Sequence, residues 1–333
     1  MTTLSVVMIT KNQEWNIARL IESVLAETAT LDTKEIILVD SASTDETVER
    51  ASRYPIRIVR LHTDQRLTAA AGRYTGYRYT QGNFVLFLDG DMELYPGWID
   101  KALPIIQNNP DIGVIVGHRI DLPKDAGEQD KPPLSQADSD SVTEIDHGGG
   151  AALYRRSVME QVGTFNPYIY SDEEPELCIR IRHAGYRACR LEHTIVYHYT
   201  DPPEETSTLL LRRGRNLYIG YGQNIRFHLG TDILWPYIRE RGFGCLPGLV
   251  LVTGLMVVAH ALVTHKWVYV QRLFVLTLAA VLGDAYRRGN VQETFYSIIQ
   301  RGIMLEGTIR GFLLPPMNPD QYPCHVDVVQ WVP

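Results

Sequence analysis

The chain has 333 residues, 45% of them hydrophobic and 21% charged, with a formal net charge of −7. That suffices for one large α/β domain with an addition, or for two domains, and it excludes wholesale disorder. The acidic balance argues against a nucleic-acid partner, which would call for a basic surplus, but says nothing against a nucleotide ligand. Four cysteines, Cys178, Cys189, Cys245 and Cys324, form no Cys-x-x-Cys pair. Reduced thiols in a cytosolic setting are therefore expected, and a structural zinc site or redox motif is not. No secretory signal is expected, since residues 4–9 are a short apolar run without a basic leader.

In chain order, residues 4–10 predict a first strand. Residues 14–27 carry Trp15, Ala18, Ile21, Val24 and Leu25 at helical spacing. Residues 35–40 predict a second strand. Ser43, with Glu46 three positions on, reads as the capping box of a following helix. Residues 56–61 predict a third strand, 67–80 another helix, and the apolar run 84–88 a fourth strand buried on both faces. Strands alternating with helices imply a parallel sheet with right-handed crossovers.

Polar residues gather at the strand ends. Thr10, Lys11 and Asn12 end the first, Asp40, Ser41 and Ser43 the second, and Asp89 and Asp91 the fourth. Parallel strands put their carboxyl ends on one edge, so these residues should meet in one cleft, where such sheets bind ligands. A carboxylate such as Asp40 can accept from a pyrimidine ring N–H, although Asp40 and Asp45 also suit helix capping. Asp89-Gly90-Asp91 sets two like charges side by side, which costs free energy unless a cation or donors offset them. A divalent cation carrying the diphosphate of a nucleotide-sugar would do so. An acidic turn capping the next helix is the alternative.

Four stretches taken together, Val6-Val-Met-Ile-Thr-Lys-Asn12, Ile37-Leu-Val-Asp-Ser-Ala-Ser-Thr-Asp45, Ala70-Ala-Gly-Arg-Tyr-Thr-Gly76 and Phe84-Val-Leu-Phe-Leu-Asp-Gly-Asp91, resemble the nucleotide-binding half of the family-2 glycosyltransferases. The resemblance implies a GT-A fold, with a Rossmann-like, mostly parallel sheet flanked by helices. It implies that Asp40 and the Thr10–Asn12 turn hold the base, with Glu14, Ser41 and Ser43 among the donor contacts. Arg73 would lie near the donor, Asp89 and Gly90 near the ribose or metal, and Asp91 on a Mn2+ or Mg2+ ion. The chain departs from the family pattern at Ser41, often Asp; near Leu67, often Gly; and at Tyr74, often Asn.

Residues 121–146 are polar and read as a long exposed loop or a lid over the acceptor. Gly148, Gly149 and Gly150 follow, either a tight turn or a place where the acceptor approaches the backbone. Asp172, Glu173, Glu174 and Glu176 surround Pro175, which suits a first helical turn. Acidic residues favour that helix end electrostatically, and a carboxylate there can also deprotonate an attacking hydroxyl. By resemblance to the family's acidic pair, Glu174 is the expected base, then Glu173, then Asp172, while Arg180 braces the helix. His198 matches a histidine that often completes the metal shell in this family. A lone histidine also commonly satisfies a core hydrogen bond.

Beyond residue 205 the character changes to a helical region. Residues 209–221 mix apolar side chains with Arg212, Arg213 and Arg215, as a membrane-surface helix or a packed helix would. Residues 246–263 carry no formal charge, and residues 267–283 carry one, Arg272. Basic residues flank both ends, which fits a membrane hairpin over 246–283 with both ends in the cytoplasm; two core helices of a soluble domain are the alternative. One more amphipathic helix is expected over 291–314, then an extended tail from Met317. The expected protein is an inverting, metal-dependent transferase acting at the cytoplasmic face of a membrane. Its donor is a nucleotide-sugar, UDP favoured, and its acceptor a glycan or lipid-linked sugar. A sugar-phosphate nucleotidyltransferase would need a glycine-rich loop where Thr-Lys-Asn-Gln-Glu stands. A catalytically silent subunit would be favoured by a broken acidic cluster, and this one is intact.

Overall fold

The computed structural model describes residues 3–132, 141–200 and 206–332. The chain forms two compact units, Met1–Pro203 joined by Met317–Pro333, and Glu204–Pro316.

In the first unit the elements run β1 (Leu4–Thr10), α1 (Ile17–Glu27), β2 (Lys34–Asp40), α2 (Thr47–Ala51), β3 (Arg57–Leu61), α3 (Ala69–Arg78), β4 (Phe84–Asp89), β5 (Met92–Leu94), α4 (Trp98–Asn108), β6 (Ile112–Pro123), β7 (Val142–Glu144), β8 (Ala152–Arg155), α5 (Arg156–Val162), α6 (Glu173–His183) and β9 (Arg187–Thr200). After the second unit, β10 (Val326–Gln330) returns to the same sheet. Strand order is β10-β3-β2-β1-β4-β8-β6-β9-β5, with β7 also on β9. The four strands read from the sequence, β3-β2-β1-β4, are parallel. Antiparallel pairs of β8, β5, β7 and β10 make the whole sheet mixed.

The sheet is buried on both faces. Leu4, Val6 and Met8 of β1 pack with Ile17, Leu20, Ile21 and Val24 of α1 and with Trp98 and Ile99 of α4. Val7 and Ile9 face the opposite layer, with Ala70 of α3, Val158 of α5 and Leu177 of α6. The α1 stripe at i, i+3, i+4 and i+7 is what makes that segment a helix docked on a sheet. Each such aliphatic side chain contributes about 1.5–3 kcal/mol when fully buried.

Three expectations change. The Ser43–Glu46 capping box does not form, because α2 starts at Thr47 and the Ser43 hydroxyl is engaged with Asp40. Asp45 instead accepts from Thr47 N at 3.1 Å. The polar stretch from 121 is not loop throughout: Asp121 and Leu122 continue β6, paired with β9, and residues 142–144 form β7. Residues 133–140 of that expected loop or lid lie outside the described residues. Finally, part of the tail is not merely extended but paired with β3 as β10.

The second unit is helical: α7 (Thr206–Gly214), α8 (Gly220–Phe227), α9 (Leu234–Arg241), α10 (Leu246–Thr264), α11 (Val268–Arg288) and α12 (Val291–Leu313). Among the described residues one helix, over Val268–Arg287, is long and apolar enough to cross a membrane. This second apolar segment, marginal in the sequence, runs past Gly283 to Arg288 and so gains the necessary length. Leu234–Gly244 and Gly248–Thr264 meet that criterion only as a pair, bent by 75°.

Candidate active site

Register builds the site. Thr10 pairs with Asp40, and Ile9 with Asp89, so the ends of β2, β1 and β4 lie side by side. The chain then turns through Gly90 and Asp91 into β5, where Met92 pairs with His198 of β9. Asn16, buried at the start of α1, donates its amide to Gly90 O at 3.0 Å and Met92 O at 2.9 Å. These bonds pin the acidic turn, a role sequence reasoning missed. A Cβ on Gly90 would meet Thr10 Oγ1 at 2.8 Å and Gln13 Cγ at 2.9 Å, so no larger residue fits there.

The centre of the site is Arg73. It projects from α3 and is 1% exposed. Its guanidinium donates to Asp89 at 2.7 Å, Glu173 at 2.7 Å and Glu174 at 2.9 Å. One residue thereby ties the end of β4 to the start of α6. Burial works against its charge, and the Asp89, Glu174 and Glu173 carboxylates overrule that and raise its pKa. Gly150 completes the cluster. A Cβ there would overlap Asp89 Oδ2 and come within 3.2 Å of an Arg73 nitrogen. Of the other two glycines, a Cβ on Gly148 would meet Val116 Cγ1 at 2.8 Å, whereas one on Gly149 would meet nothing within 4 Å.

The two glutamates differ in environment. The Glu173 side chain is 5% exposed and that of Glu174 17%. Burial first, then the Glu174 charge, pushes the Glu173 carboxyl up to about 8, with Arg73 pulling the other way. Asp172 precedes the helix in the left-handed conformation, φ 67°, and its carbonyl accepts from Glu176 N. Arg180 donates to Glu176 at 2.6 Å and to the carbonyls of Val162, Gly163 and Thr164, bracing the acidic helix.

At the other side of the turn, Asp91 Oδ2 lies 3.6 Å from His198 Nε2, and Asp91 Oδ1 is buried without a hydrogen-bond partner. His198 Nδ1 is held at 2.7 Å by Asp121, which orients the ring toward Asp91. Burial lowers the imidazole's proton affinity, but Asp91 and Asp121 outweigh it and the pKa is raised. Asp121 was hidden in the sequence because its stretch read as loop; the alternation Ile120-Asp121-Leu122 was the available signal. Among the described residues no three acidic, histidine or cysteine side chains form a ready-made metal cage. The orphaned Asp91 oxygen and the facing imidazole fit two ligands of a cation whose remaining ligands come from substrate, and mixed oxygen and nitrogen donors suit manganese. Asp89, a further candidate ligand, is turned to Arg73.

The base-binding candidates are more scattered in role. The Asp40 carboxylate is wholly buried, accepting from the Ser43 amide and hydroxyl and 3.4 Å from Arg60. Asn12 bridges to the second loop, its N–H donating to Ser43 Oγ and its side-chain oxygen accepting from Thr44 N, both at 2.8 Å. Glu14 accepts from Glu46 N at 2.9 Å. Ser41 is buried and donates its N–H to Thr10 O, while Lys11 is exposed at the rim. The Thr10 hydroxyl is buried without a partner beside Gly90.

Residues 5–163 match the sequence model of Glycosyl transferase family 2. That stretch, just under half of the chain, resembles this family. An uncharacterized glycosyltransferase of Haemophilus influenzae is 33% identical over 113 residues, 34% of this chain and 37% of that one. The chain thus spans little more than a third of that relative's length. Two solved structures share the fold at low identity. The mannosyltransferase PcManGT of Pyrobaculum calidifontis, in complex with GDP-Man and Mn2+, has a TM-score of 0.60 at 16% identity, covering 93% of this chain and 87% of its own. TarS 1–349 of S. aureus, in complex with UDP-GlcNAc, has 0.53 at 17%, covering 93% and 92%. The fold is therefore GT-A, as the family resemblance implied.

Proposed function

We propose that this chain is an inverting, metal-dependent glycosyltransferase. It moves a sugar from a nucleoside-diphosphate sugar, UDP favoured over GDP, to a hydroxyl of a glycan or lipid-linked acceptor. The observation that carries the reading is Arg73, which joins Asp89 at the donor edge to Glu173 and Glu174 at the opposite wall. Donor binding and base are thus held by one rigid connection. Both structural neighbours named above hold nucleotide-sugars, one with manganese.

Asp91 and His198 would hold the cation, which supplies charge neutralisation for the departing diphosphate. Glu174, the more exposed of the pair, takes the proton from the acceptor hydroxyl as it attacks. Buried Glu173 fixes Arg73, and Glu174, which Arg73 also holds through one oxygen, would face the acceptor. Thr10, Asn12, Asp40 and Ser43 shape the edge where the base would lie.

The test is a melting series against a panel of nucleotide-sugars with manganese. A donor at about 100-fold its dissociation constant stabilises by roughly 2.7 kcal/mol, a shift of several degrees. EDTA should abolish the shift. Asp91→Ala should melt like the native chain without donor and show no metal-dependent shift. A normal shift in Asp91→Ala would remove this aspartate from the site.

We also place the enzyme at the cytoplasmic face of a membrane, through residues 246–283. Supporting this, Leu249, Leu255, Phe274 and Leu276 are each more than 60% exposed, and Val263 is 82% exposed. So many exposed large apolar side chains are unusual in a soluble unit. Washing membranes with alkaline carbonate should leave the full chain in the pellet, and Leu249→Lys with Phe274→Lys should release it. Full release of the native chain would show that these helices do not insert.

A further inference from the structure

We infer that Tyr322, in the segment after α12, is a positioning residue for the Glu173–Glu174 carboxylates. The inference rests on the functional reading above and extends the machinery of transfer to residues 317–332. Tyr322 is 5% exposed. Its hydroxyl donates to Arg66 O at 2.6 Å. Its ring meets Tyr74 edge-on at 5.9 Å and Tyr168 edge-on at 5.5 Å.

Both neighbours lead to the site. Tyr74 is adjacent to Arg73 on α3 and is the position where the family pattern often has asparagine. Tyr168 lies in the short stretch that runs through Asp172 into Glu173 and Glu174. That stretch has two further holds on the start of α3. Arg66 donates to Tyr168 O at 2.8 Å, and its guanidinium lies over Tyr168 and Tyr170 at 5.6 and 5.1 Å. Thr68 donates its hydroxyl to Pro167 O at 2.8 Å. Tyr322 therefore grips the stretch directly through Tyr168 and indirectly through Arg66. Edge-on aromatic pairs have a preferred geometry and stabilise beyond the area they bury, which suits a part that must keep a carboxylate in register.

The segment is docked by other means too. Gln65 exchanges hydrogen bonds with the backbone of His325, at 2.6 and 3.0 Å. Gln330 donates to the carbonyls of Tyr54 and Ile56, and β10 pairs with β3. Removing the Tyr322 ring should thus leave the segment in place and loosen only what the ring holds.

The experiment uses full-length Tyr322→Ala, Tyr322→Leu and Tyr322→Phe, with Trp331→Ala as a control whose ring stacks on Arg57 and lies near Tyr79. Amide exchange is followed by mass spectrometry, and UDP release from UDP-GlcNAc with manganese is timed. In Tyr322→Ala, exchange at residues 166–174 should quicken by about tenfold or more, while β1 and β4 stay protected. Its kcat should fall by about tenfold or more with the donor KM within about twofold, as expected of a misplaced base. Tyr322→Phe keeps both ring contacts and should recover kcat to within about threefold, and Trp331→Ala should match the native rate. If Tyr322→Ala does not fold, Tyr322→Leu carries the same expectations. Unchanged exchange at 166–174, or a normal kcat, overturns the inference. A native chain that releases no nucleoside diphosphate from any nucleotide-sugar defeats the functional reading instead, and the exchange comparison still decides whether Tyr322 holds the stretch.

Discussion

Arg73→Met should lose sugar transfer altogether and unfold more easily by about 3–5 kcal/mol, the usual cost of stripping the partner from buried charge. Methionine fills the space but leaves Asp89, Glu173 and Glu174 facing one another without a cation, in a region where Arg73 itself is 1% exposed. Some of the loss will be offset by proton uptake on the carboxyls, so the deficit should shrink as the pH falls. Arg73→Lys should rank between the two, since an ammonium keeps the charge but cannot fork to three carboxylates from fixed directions. Urea unfolding at pH 7 and a transfer assay on the same samples measure both quantities. A methionine variant as stable as the native chain would mean that the cluster contributes nothing to folding, and the account of the site would fall with it.

Glu174→Gln should reduce transfer by about 10²–10⁴-fold, the range general bases contribute, while nucleotide-sugar binding stays close to normal. The amide keeps the bond from Arg73 but cannot take a proton. Glu173→Gln is the informative partner. Burial and the Glu174 charge raise the Glu173 carboxyl from 4.5 to about 8, so at neutral pH the native side chain is already largely protonated. An amide imitates that state, and transfer should suffer far less than in Glu174→Gln. The pH dependence has a definite sign. The folded chain holds a proton on Glu173 that the unfolded chain gives up above 4.5. Its contribution to stability is complete below that pH and fades as the pH rises through about 8. Denaturation midpoints between pH 5 and 8.5 should therefore slope downward more in the native chain than in Glu173→Gln. Equal slopes would show that Glu173 is ionised in the folded chain. Normal transfer by Glu174→Gln would put the base elsewhere.

What the chain alone determined is local. Apolar runs bounded by turns marked β1 to β4, because a strand buried on both faces leaves a continuous signature that needs no partner to be read. The residues at the ends of those strands followed at once, since a parallel sheet has one carboxyl edge. Tertiary structure decided everything that depends on a partner distant in sequence. Ser43 was readable as a helix cap until Asp40 claimed its hydroxyl. Asp121 was readable as loop until β9 gave its strand a neighbour and His198 gave its carboxylate a purpose. Asn16 looked like one more polar residue at a helix start, and only the folded turn shows it gripping both sides of Gly90–Met92. Glu173 and Glu174 are adjacent and nearly identical in chemistry, yet the fold buries the first more deeply than the second while Arg73, a hundred positions away, binds both. The segment after residue 317 gave no pattern of its own, because an edge strand and an aromatic wedge acquire meaning only from the β3 and Tyr74 surfaces they cover. Periodicity records how a segment meets a layer; which side chains meet each other is settled when the layers close.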